Sequence, residues 1–363
     1  MFLIFLYQDI THKINLDQQT ITLKIIDLIH CYNTIFTAYS FDIYLVTIMK
    51  KISLATALLV AMTGAHAYQV EVQGAAEYFD DSLNNDNYTG SVQGTYYFKN
   101  VDSTKGPLAE AAFLNQASNV SVAYNFGEYS ADVKVPAYGI NEEVKAEQHN
   151  YGAKAEAYIP TKLIPLYASA SYSHSKTDAK NDFTANNPLN HPQVAKLADG
   201  NGDRYALELG AMLLPNFLVA VGYTSVADQY SFDVFKAINN GSVFSALETG
   251  TIAEDQDAIT ARTKYVGGIT DTNMSVGFEA GLVYGEDTLY QLKSDLYFNP
   301  QLSAGVSYTE SSFNDTPSSA IGANVNYFIT PAVAVGASYV NANAENGSSR
   351  DTETVGLNAK FRF

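Results

Sequence analysis

The sequence predicts an all-β protein, a transmembrane antiparallel up-and-down β-barrel of about fourteen strands, with about twelve to sixteen compatible with the pattern. Three observations predict this fold class. Apolar and polar residues alternate along many short segments, as they do in strands that have one apolar and one polar face. Short connections that contain proline recur between these segments. The chain ends on Phe363, an aromatic residue that closes the last alternating segment.

The front of the chain differs from the rest. Residues 1–48 contain no Gly, Pro, Glu or Arg, and we expect them to be an upstream extension read from a start codon assigned too early. Residues 49–67 combine a basic start, an apolar run and the small-x-small motif A-H-A. These features predict a secretory signal peptide and a mature chain, 68–363, that begins near Tyr68. The alternative for the extension is a membrane anchor, but its apolar stretch at 35–48 is shorter than the about 20 residues that a spanning helix needs.

Composition argues against several classes of function. The net charge is −17, which disfavours nucleic acid as a partner. The single cysteine, Cys31, lies in the upstream extension, so we expect neither disulfides nor thiol chemistry in the mature chain. No metalloprotease, esterase or phosphate-binding motif occurs. We therefore expect a protein that is not an enzyme, with no catalytic residue, no bound metal and no cofactor.

Alternation with period two divides the mature chain into fourteen segments that we predict to be strands. An even number of antiparallel strands places both chain ends on the same side of the membrane. The predicted segments are Tyr68–Phe79, Thr89–Phe98, Asn119–Phe126, His149–Ile159, Leu166–Ser173, Arg204–Leu213, Phe217–Thr224, Ala258–Val266, Met274–Tyr284, Tyr290–Phe298, Leu302–Thr309, Ala320–Phe328, Val333–Val340 and Asp351–Phe363.

The connections between the segments are of two kinds. Proline fixes one backbone dihedral and lacks a donor, so it belongs in turns, and with both chain ends in the periplasm these turns are periplasmic. The proline turns all follow even-numbered segments, at 159–160, 213–216, 299–301 and 330–332. The long acidic connections are predicted on the extracellular side, near 127–148, 175–203 and 227–257. We interpret their carboxylates as solvated, with cation binding among lipid phosphates as the alternative.

Charged residues on the polar face of the segments are predicted to point into the barrel, because Lys or Arg facing lipid costs about 2–4 kcal/mol at the midplane. Two interpretations stay open: ion pairs that close a narrow barrel, or a pore lining that sets size and charge selectivity. At the seam, Lys360 and Arg362 are expected to contact Glu71 and Glu77 on the first segment. The pore-lining candidates are Glu71, Glu77, Lys154, Glu156, Arg204, Glu208, Arg262, Lys264, Glu279, Lys293, Asp295, Lys360 and Arg362.

Two connections are candidates for narrowing the lumen. The connection 227–257 is more apolar than a solvated loop, and we expect Phe232, Phe235 and Phe244 to form a constriction. The connection 100–117 lies on the periplasmic side, where turns should be short, and it predicts a short amphipathic helix that starts at Pro107. This helix would either enter the barrel mouth and narrow it, or cap the periplasmic rim.

Three runs of sequence resemble the putative porins of gram-negative outer membranes. They are KNVDSTKGPLAEAAFLNQASNVSVAY at 99–124, FLVAVGYTSVADQ at 217–229 and GLNAKFRF at 356–363. The last run, with Phe361 and Phe363, is similar to the assembly signal at the end of outer-membrane barrels. The likeness extends over the chain after the upstream extension.

The resemblance implies an outer-membrane porin through which water and small hydrophilic solutes diffuse passively, in a narrow and gated barrel. The alternative is a closed outer-membrane barrel with a role in surface interaction or envelope structure. The partners that we expect are outer-membrane lipids and lipopolysaccharide, the barrel-assembly machinery and the small hydrophilic solutes. The permeating solute, the ion preference, the resting state of the pore and the oligomeric state stay open.

Overall fold

The structure is a computed structural model of the 363-residue chain. It describes residues 67–81, 84–135, 140–181, 200–227, 256–312, 318–343 and 351–363. All of these residues belong to one compact unit, Met62–Phe363. The upstream extension expected at 1–48, and the signal peptide expected at 49–67 except for its last residue, lie outside the described residues. Among the described residues, no helix is long and apolar enough to cross a lipid bilayer.

Fourteen β-strands form one closed antiparallel barrel, as the alternation predicts. Each strand pairs with its neighbours in sequence and the first pairs with the last, so the sheet has no free edge. The strands are β1 (Ala67–Asp81), β2 (Asn84–Asp102), β3 (Asn119–Val135), β4 (Ile140–Ile159), β5 (Leu166–Asn181), β6 (Gly200–Leu214), β7 (Phe217–Ala227), β8 (Gln256–Gly268), β9 (Ser275–Tyr284), β10 (Thr288–Tyr297), β11 (Leu302–Ser311), β12 (Ser319–Thr330), β13 (Val333–Asn343) and β14 (Thr352–Arg362).

The barrel closes where β1 meets β14. The register runs from Glu71 opposite Arg362 to Asp81 opposite Thr352. The terminal residue belongs to the ladder, because the Phe363 N–H donates to the Val70 carbonyl at 2.9 Å. The start of β1 and the last residue of β14 therefore lie together, at the end of the barrel that holds the proline turns.

The two faces of each strand differ in chemistry and exposure. On β1, Glu71 and Glu77 are each 6% exposed, whereas Val72 and Tyr78 are 37% and 48% exposed. A polar interior with an apolar exterior is the arrangement that a bilayer stabilises, because lipid covers the apolar face and the closed barrel holds the polar groups. The alternation in the sequence therefore encodes the two sides of the barrel wall.

Exposed aromatic side chains form two belts on the outer face. Tyr and Phe suit the boundary between lipid and water, because their rings are apolar and the tyrosine hydroxyl is polar. They make both belts here, since the chain has no Trp. The belt near the strand ends opposite the proline turns, which is the end predicted to be extracellular, includes Tyr78, Tyr88, Tyr151, Tyr172, Tyr205, Tyr223, Tyr284, Tyr308 and Tyr339. The belt near the turns includes Tyr96, Phe98, Phe298, Tyr327, Phe361 and Phe363.

One predicted extracellular connection needs correction. β3 continues to Val135 and β4 begins at Ile140, so most of the connection expected at 127–148 is paired strand. Where a hairpin extends beyond the bilayer, both of its faces meet water, and apolar alternation fades although backbone pairing continues. The interiors of the connections expected at 175–203 and 227–257 lie outside the described residues.

The connections at the other end of the barrel are short, with one exception. A typical one joins β10 to β11, where the Asn299 side chain accepts from the Gln301 N–H at 2.8 Å and the Leu302 N–H at 2.9 Å. The exception joins β2 to β3. Its residues 103–118, called the inserted segment from here on, turn back toward the inside of the barrel.

Candidate functional site in the barrel lumen

All thirteen predicted pore-lining residues lie on the inner face of the barrel, and none of them is exposed. Seven are cations and six are anions. The cations are Lys154, Arg204, Arg262, Lys264, Lys293, Lys360 and Arg362, and the anions are Glu71, Glu77, Glu156, Glu208, Glu279 and Asp295.

Arg262 of β8 connects the inner faces of several strands. Its Nη2 donates to Glu208 Oε2 of β6 at 3.0 Å and to the Tyr167 hydroxyl of β5 at 2.9 Å. The Tyr167 hydroxyl donates in turn to Glu156 Oε1 of β4 at 2.8 Å. Hydrogen bonds to charged groups are the strong class, so this chain stiffens one wall of the lumen from the inside.

Glu156 is also held from its other side. Lys154 Nζ lies 2.9 Å from its Oε1, and the Asn119 amide donates to its Oε2 at 3.1 Å. On β10, Lys293 Nζ lies 3.2 Å from Asp295 Oδ2. Charges on the inner wall near the turns thus have partners on the same or a neighbouring strand.

Lys264 of β8 joins the wall to the inserted segment. Its Nζ lies 2.9 Å from Glu110 Oε2 and 3.8 Å from Glu279 Oε2. Glu110 also accepts from the Tyr297 hydroxyl at 2.8 Å. Burial alone would raise the pKa of Glu110, but the Lys264 ammonium, the Lys293 charge and the Tyr297 hydrogen bond together lower that pKa. Glu110 is therefore ionised at neutral pH and holds the segment to β8 and β10.

The seam contains a second charged group. Arg362 Nε donates to Glu71 Oε2 at 2.7 Å, and Lys360 Nζ lies 3.1 Å from Glu71 Oε1. The Arg362 guanidinium lies between two rings, 4.5 Å from the centroid of Tyr68 and 4.6 Å from that of Phe328. A planar guanidinium suits such stacking better than a lysine ammonium does. The predicted contact between the last strand and Glu71 is confirmed.

The predicted contact between the last strand and Glu77 is wrong. Glu77 lies opposite Gly356, while Glu71 lies opposite Arg362. Arg362 lies opposite Glu71 and Lys360 opposite Gln73, six and four positions from Glu77. These separations correspond to about 20 Å and about 13 Å along the strand, which neither basic side chain spans. Glu77 instead accepts a hydrogen bond from Thr89 of β2 at 3.3 Å.

The inserted segment enters the lumen through a turn and a short helix. Gly106 has a φ of 122°, a left-handed conformation that favours glycine. Pro107 then leads into a 3₁₀ turn, Leu108–Glu110, and into α1, Ala111–Leu114. The short helix predicted to start at Pro107 is therefore present.

The inserted segment packs on three sides against the inner wall. Phe113 is 7% exposed and fills a cluster on one side. Leu108 packs with Phe328 on the second side, and Ala111 packs with Tyr68 on the third. The residues in the cluster around Phe113 are Tyr167, Met212, Leu218, Ala220, Val266 and Tyr297.

Hydrogen bonds fasten the segment at opposite sides of the barrel. Arg362 Nη1 donates to the Leu108 carbonyl at 2.9 Å, and the Leu108 N–H donates to the Pro300 carbonyl at 2.8 Å. The Gln116 side chain donates to the Pro215 carbonyl, in the turn between β6 and β7, at 3.3 Å. Because β7 and β14 are seven strands apart in a ring of fourteen, the segment crosses the mouth. The structure thus decides for entry into the mouth over a cap on the rim.

Comparisons with known proteins agree with this architecture. The model of a family described as putative general bacterial porin matches residues 43–135. The crystal structure of the outer membrane protein Omp33 of Acinetobacter baumannii is 48% identical, and the match covers 82% of this chain and 99% of Omp33 with a TM-score of 0.57. The chain belongs to the putative general bacterial porins. The resemblance carried by the run at 99–124 and by the C-terminal strand is confirmed, and the porin is an outer-membrane barrel.

The porin also matches a more distant structure. The toluene transporter TodX of Pseudomonas putida is 9% identical, over 82% of the porin and 89% of TodX, with a TM-score of 0.47. No protein with curated function matches the porin.

Among the thirteen predicted residues together with Glu110, cations and anions are equal in number. The thirteen predicted residues carry one more cation than anions, and Glu110 supplies the missing anion. Its nearest partner is Lys264, whose other carboxylate contact, Glu279, is longer. The segment therefore neutralises the inner wall at the place where it narrows the mouth.

Two residues of this site were not predicted. Tyr167 lies in a strand where Ala alternates with Ser, and its aromatic ring suggests a side chain on the apolar face. It stands two residues before Ser169 and four before Ser171, so the alternation itself places it on the inner face with them. Glu110 lies outside any strand, so alternation says nothing about it. The constriction candidates Phe232, Phe235 and Phe244 lie outside the described residues.

Proposed function

We propose that this porin lets water and small hydrophilic solutes diffuse passively across the outer membrane, and that the inserted segment sets the width of the passage. The observation that carries this proposal is the docking of the segment across the mouth through Glu110, Phe113 and Leu108. A short turn would be enough to join β2 to β3. A connection of sixteen residues that enters the lumen is explained if it narrows a passage that would otherwise be wider.

The size of the barrel supports a lumen that needs such a segment. Barrels of eight strands are filled by their own side chains, whereas those of about sixteen to eighteen leave a channel. Fourteen strands lie between these cases. Outside the apolar clusters that hold the inserted segment, the inner wall of the described strands carries many polar side chains, which suits a path lined by water. The balance of inner charges supports low selectivity between small cations and anions.

A matched set of variants tests the proposal in planar bilayers and in liposome swelling with small sugars. Lys264→Met removes the partner of Glu110, and replacing residues 104–117 by a short Asn-Gly turn removes the segment. We expect conductance and sugar uptake to increase in the order wild type, Lys264→Met, segment deletion. Lys162→Met, an exposed lysine in the turn between β4 and β5, is the control and should behave as wild type.

A closed barrel with a surface or structural role is the second candidate. The observation that favours it is the completeness of the docking, since the segment is held by an ion pair, hydrogen bonds and three apolar contacts. It predicts no conductance and no swelling in the wild type and in Lys264→Met, and a passage that opens only when the segment is deleted. That result would remove the diffusion proposal and leave this one.

The proposed function also implies a route by which the porin reaches the outer membrane. A signal peptide cleaved before Tyr68 would deliver the chain to the periplasm, where the barrel-assembly machinery would recognise Phe361 and Phe363 at the end of β14. The apolar outer face and its tyrosine belt would then contact outer-membrane lipids and lipopolysaccharide. N-terminal sequencing of the purified mature porin tests the first of these steps, and a start other than Tyr68 would revise it.

A further inference from the structure

The described inner faces of β11, β12 and β13 carry no charge, a property they share with the described inner faces of β3, β5 and β7. By contrast, β4, β6, β8, β9 and β10 each carry at least one inward charge, among them Glu208 and Arg262. We call β11 to β13, three adjacent strands without an inward charge, the neutral wall, and β4 to β10, where strands with inward charges lie beside uncharged strands around Arg262, the charged wall.

Three asparagines form the surface of the neutral wall. Asn326 of β12 lies opposite Gly336 of β13, which lies opposite Asn358 of β14. Asn326 Nδ2 donates to Asn324 Oδ1 on the same strand at 3.0 Å. All three asparagines are partly exposed to the lumen. Their amides therefore line one continuous patch, called the amide wall below.

Glycine makes room for this patch. A Cβ atom on Gly336 would collide with the amides of Asn326 and Asn358, and one on Gly305 would collide with the Asp295 carboxylate and with the amide of Asn324. The amides can therefore lie along the wall and not project across the lumen. A side chain at either glycine would push them from the wall into the passage.

The amide wall faces the charged wall across the lumen. In a ring of fourteen strands the strand seven positions away lies opposite, so β12 faces β5 and β13 faces β6. Tyr167 of β5 and Glu208 of β6 belong to the chain of hydrogen bonds around Arg262. Those groups are already paired with one another, whereas the Asn358 amide has no hydrogen-bond partner among the described residues. The Asn358 amide is therefore available to a passing solute.

We propose that the amide wall is a recognition surface for uncharged polyhydroxylated solutes, such as sugars and polyols, on their way through the lumen. This inference rests on the proposed function, and it names the substrate class that the passage favours. An asparagine side chain both donates and accepts, so it can replace the water on a hydroxyl group in either role. It offers no charge to compensate the hydration that an ion would lose.

The test compares arabinose swelling with KCl conductance in the intact porin and in the Lys264→Met background. Asn326→Leu/Asn358→Leu keeps side-chain volume and removes both amides. We expect arabinose uptake to fall about two- to ten-fold, the effect of one or two net hydrogen bonds, while KCl conductance changes far less. Asn358→Gln restores one amide and should recover part of the uptake. Heat-modifiable migration in gels verifies that each barrel is folded.

Ser171→Ala is the matched control, because it removes a polar group from the inner face of β5, opposite β12. It should leave the ratio of arabinose uptake to KCl conductance unchanged. Asn326→Asp/Asn358→Asp should lower that ratio by favouring cations. If the leucine variant leaves arabinose uptake and KCl conductance unchanged, or reduces both equally, the amide wall does not recognise the solute. This inference then fails while the proposed function stands. If no variant passes arabinose or ions, including Lys264→Met, the proposed function fails with it.

Discussion

The two ends of the lumen are built from different interactions. Near the turns, charges such as Arg262 and Lys264 reach partners on other strands and on the inserted segment. Toward the extracellular end, neutral groups form ladders between neighbouring strands, as where Asn150 donates to Asn125 at 3.1 Å and accepts from Ser175 at 2.5 Å. Ladders of this kind stay on the wall, whereas long charged side chains extend into the lumen. The difference indicates that the charges fasten a separate element, and that the ladders maintain the wall itself.

The largest expected effect is at the seam. Arg362→Met leaves Glu71 buried with Lys360 alone and removes the guanidinium between Tyr68 and Phe328. Breaking a buried ion pair costs about 3–5 kcal/mol, so we expect a clear loss of barrel stability in urea unfolding and in heat-modifiable migration. Lys360→Met keeps the shorter contact, between Arg362 and Glu71, and should lower the stability of the barrel less. Equal losses in the two variants would contradict the role given to Arg362.

The next largest effect is expected at the end of the barrel that holds the proline turns, where the inserted segment docks. Phe113→Ala removes the ring that fills the cluster of wall residues, and large-to-small changes of this type cost about 3–5 kcal/mol. We expect this loss to fall mainly on docking of the segment, so that conductance rises while the barrel remains folded. Phe298→Ala, on the exposed outer face, is the control and should leave conductance unchanged. A Phe113→Ala barrel that unfolds together with its segment would show that the two are not separable.

A smaller effect is expected at the extracellular end. Asn150 is 1% exposed, and Asn150→Ala leaves the Asn125 and Ser175 side chains without their partner. A buried polar group left unsatisfied costs about 1–3 kcal/mol, so the unfolding midpoint in urea should fall. Conductance should stay at the wild-type value, because the inserted segment does not contact this ladder. A change in conductance would mean that the two ends of the lumen are coupled.

The smallest expected effect is a pH dependence of docking. The pKa of Glu110 is lowered in the folded porin below its ordinary value of 4.5. Its ion pair therefore stabilises the docked segment above about pH 4.5, and this contribution is lost as the pH falls through the lower folded pKa. The titratable groups that face Glu110 are Lys264, Glu279, Lys293, Asp295, Tyr297, Lys360 and Tyr68.

We expect conductance to stay level from neutral pH to about pH 4.5 and to rise gradually as the pH is lowered further. Glu110→Gln should already conduct more at neutral pH and should lack the gradual rise. Glu353→Gln, an exposed carboxylate on β14, is the control and should keep the wild-type profile. A wild-type profile in Glu110→Gln would assign the pH dependence to another group.

Most of the barrel was predictable from local sequence. Val72 and Glu71 illustrate why. Lipid requires every second side chain of a strand to be apolar, and closure of the barrel places the side chains between them inside. The same rule placed every predicted lumen charge correctly. It failed at 127–148, where a hairpin leaves the bilayer and the membrane no longer imposes a pattern on its faces.

The site was less predictable because it depends on depth along the strands and on distance around the ring. Glu71 and Glu77 have the same parity and residue type, yet only Glu71 meets Arg362, since register decides which one lies opposite. Glu110 has no periodic signal, and its partner Lys264 is distant in sequence. Pairings of this kind are set by the closure of the barrel.

The sequence by itself determined a barrel of about fourteen strands, its inward and outward faces, and which strands the short proline turns connect. These features depend on the contrast between lipid and water, which acts on each residue separately. Only the tertiary structure decided that the inserted segment enters the mouth, that Glu110 completes the charge balance, and that the asparagines face the charged wall. Those features arise because a ring of fourteen strands brings distant residues to the same depth and to opposite sides of one lumen.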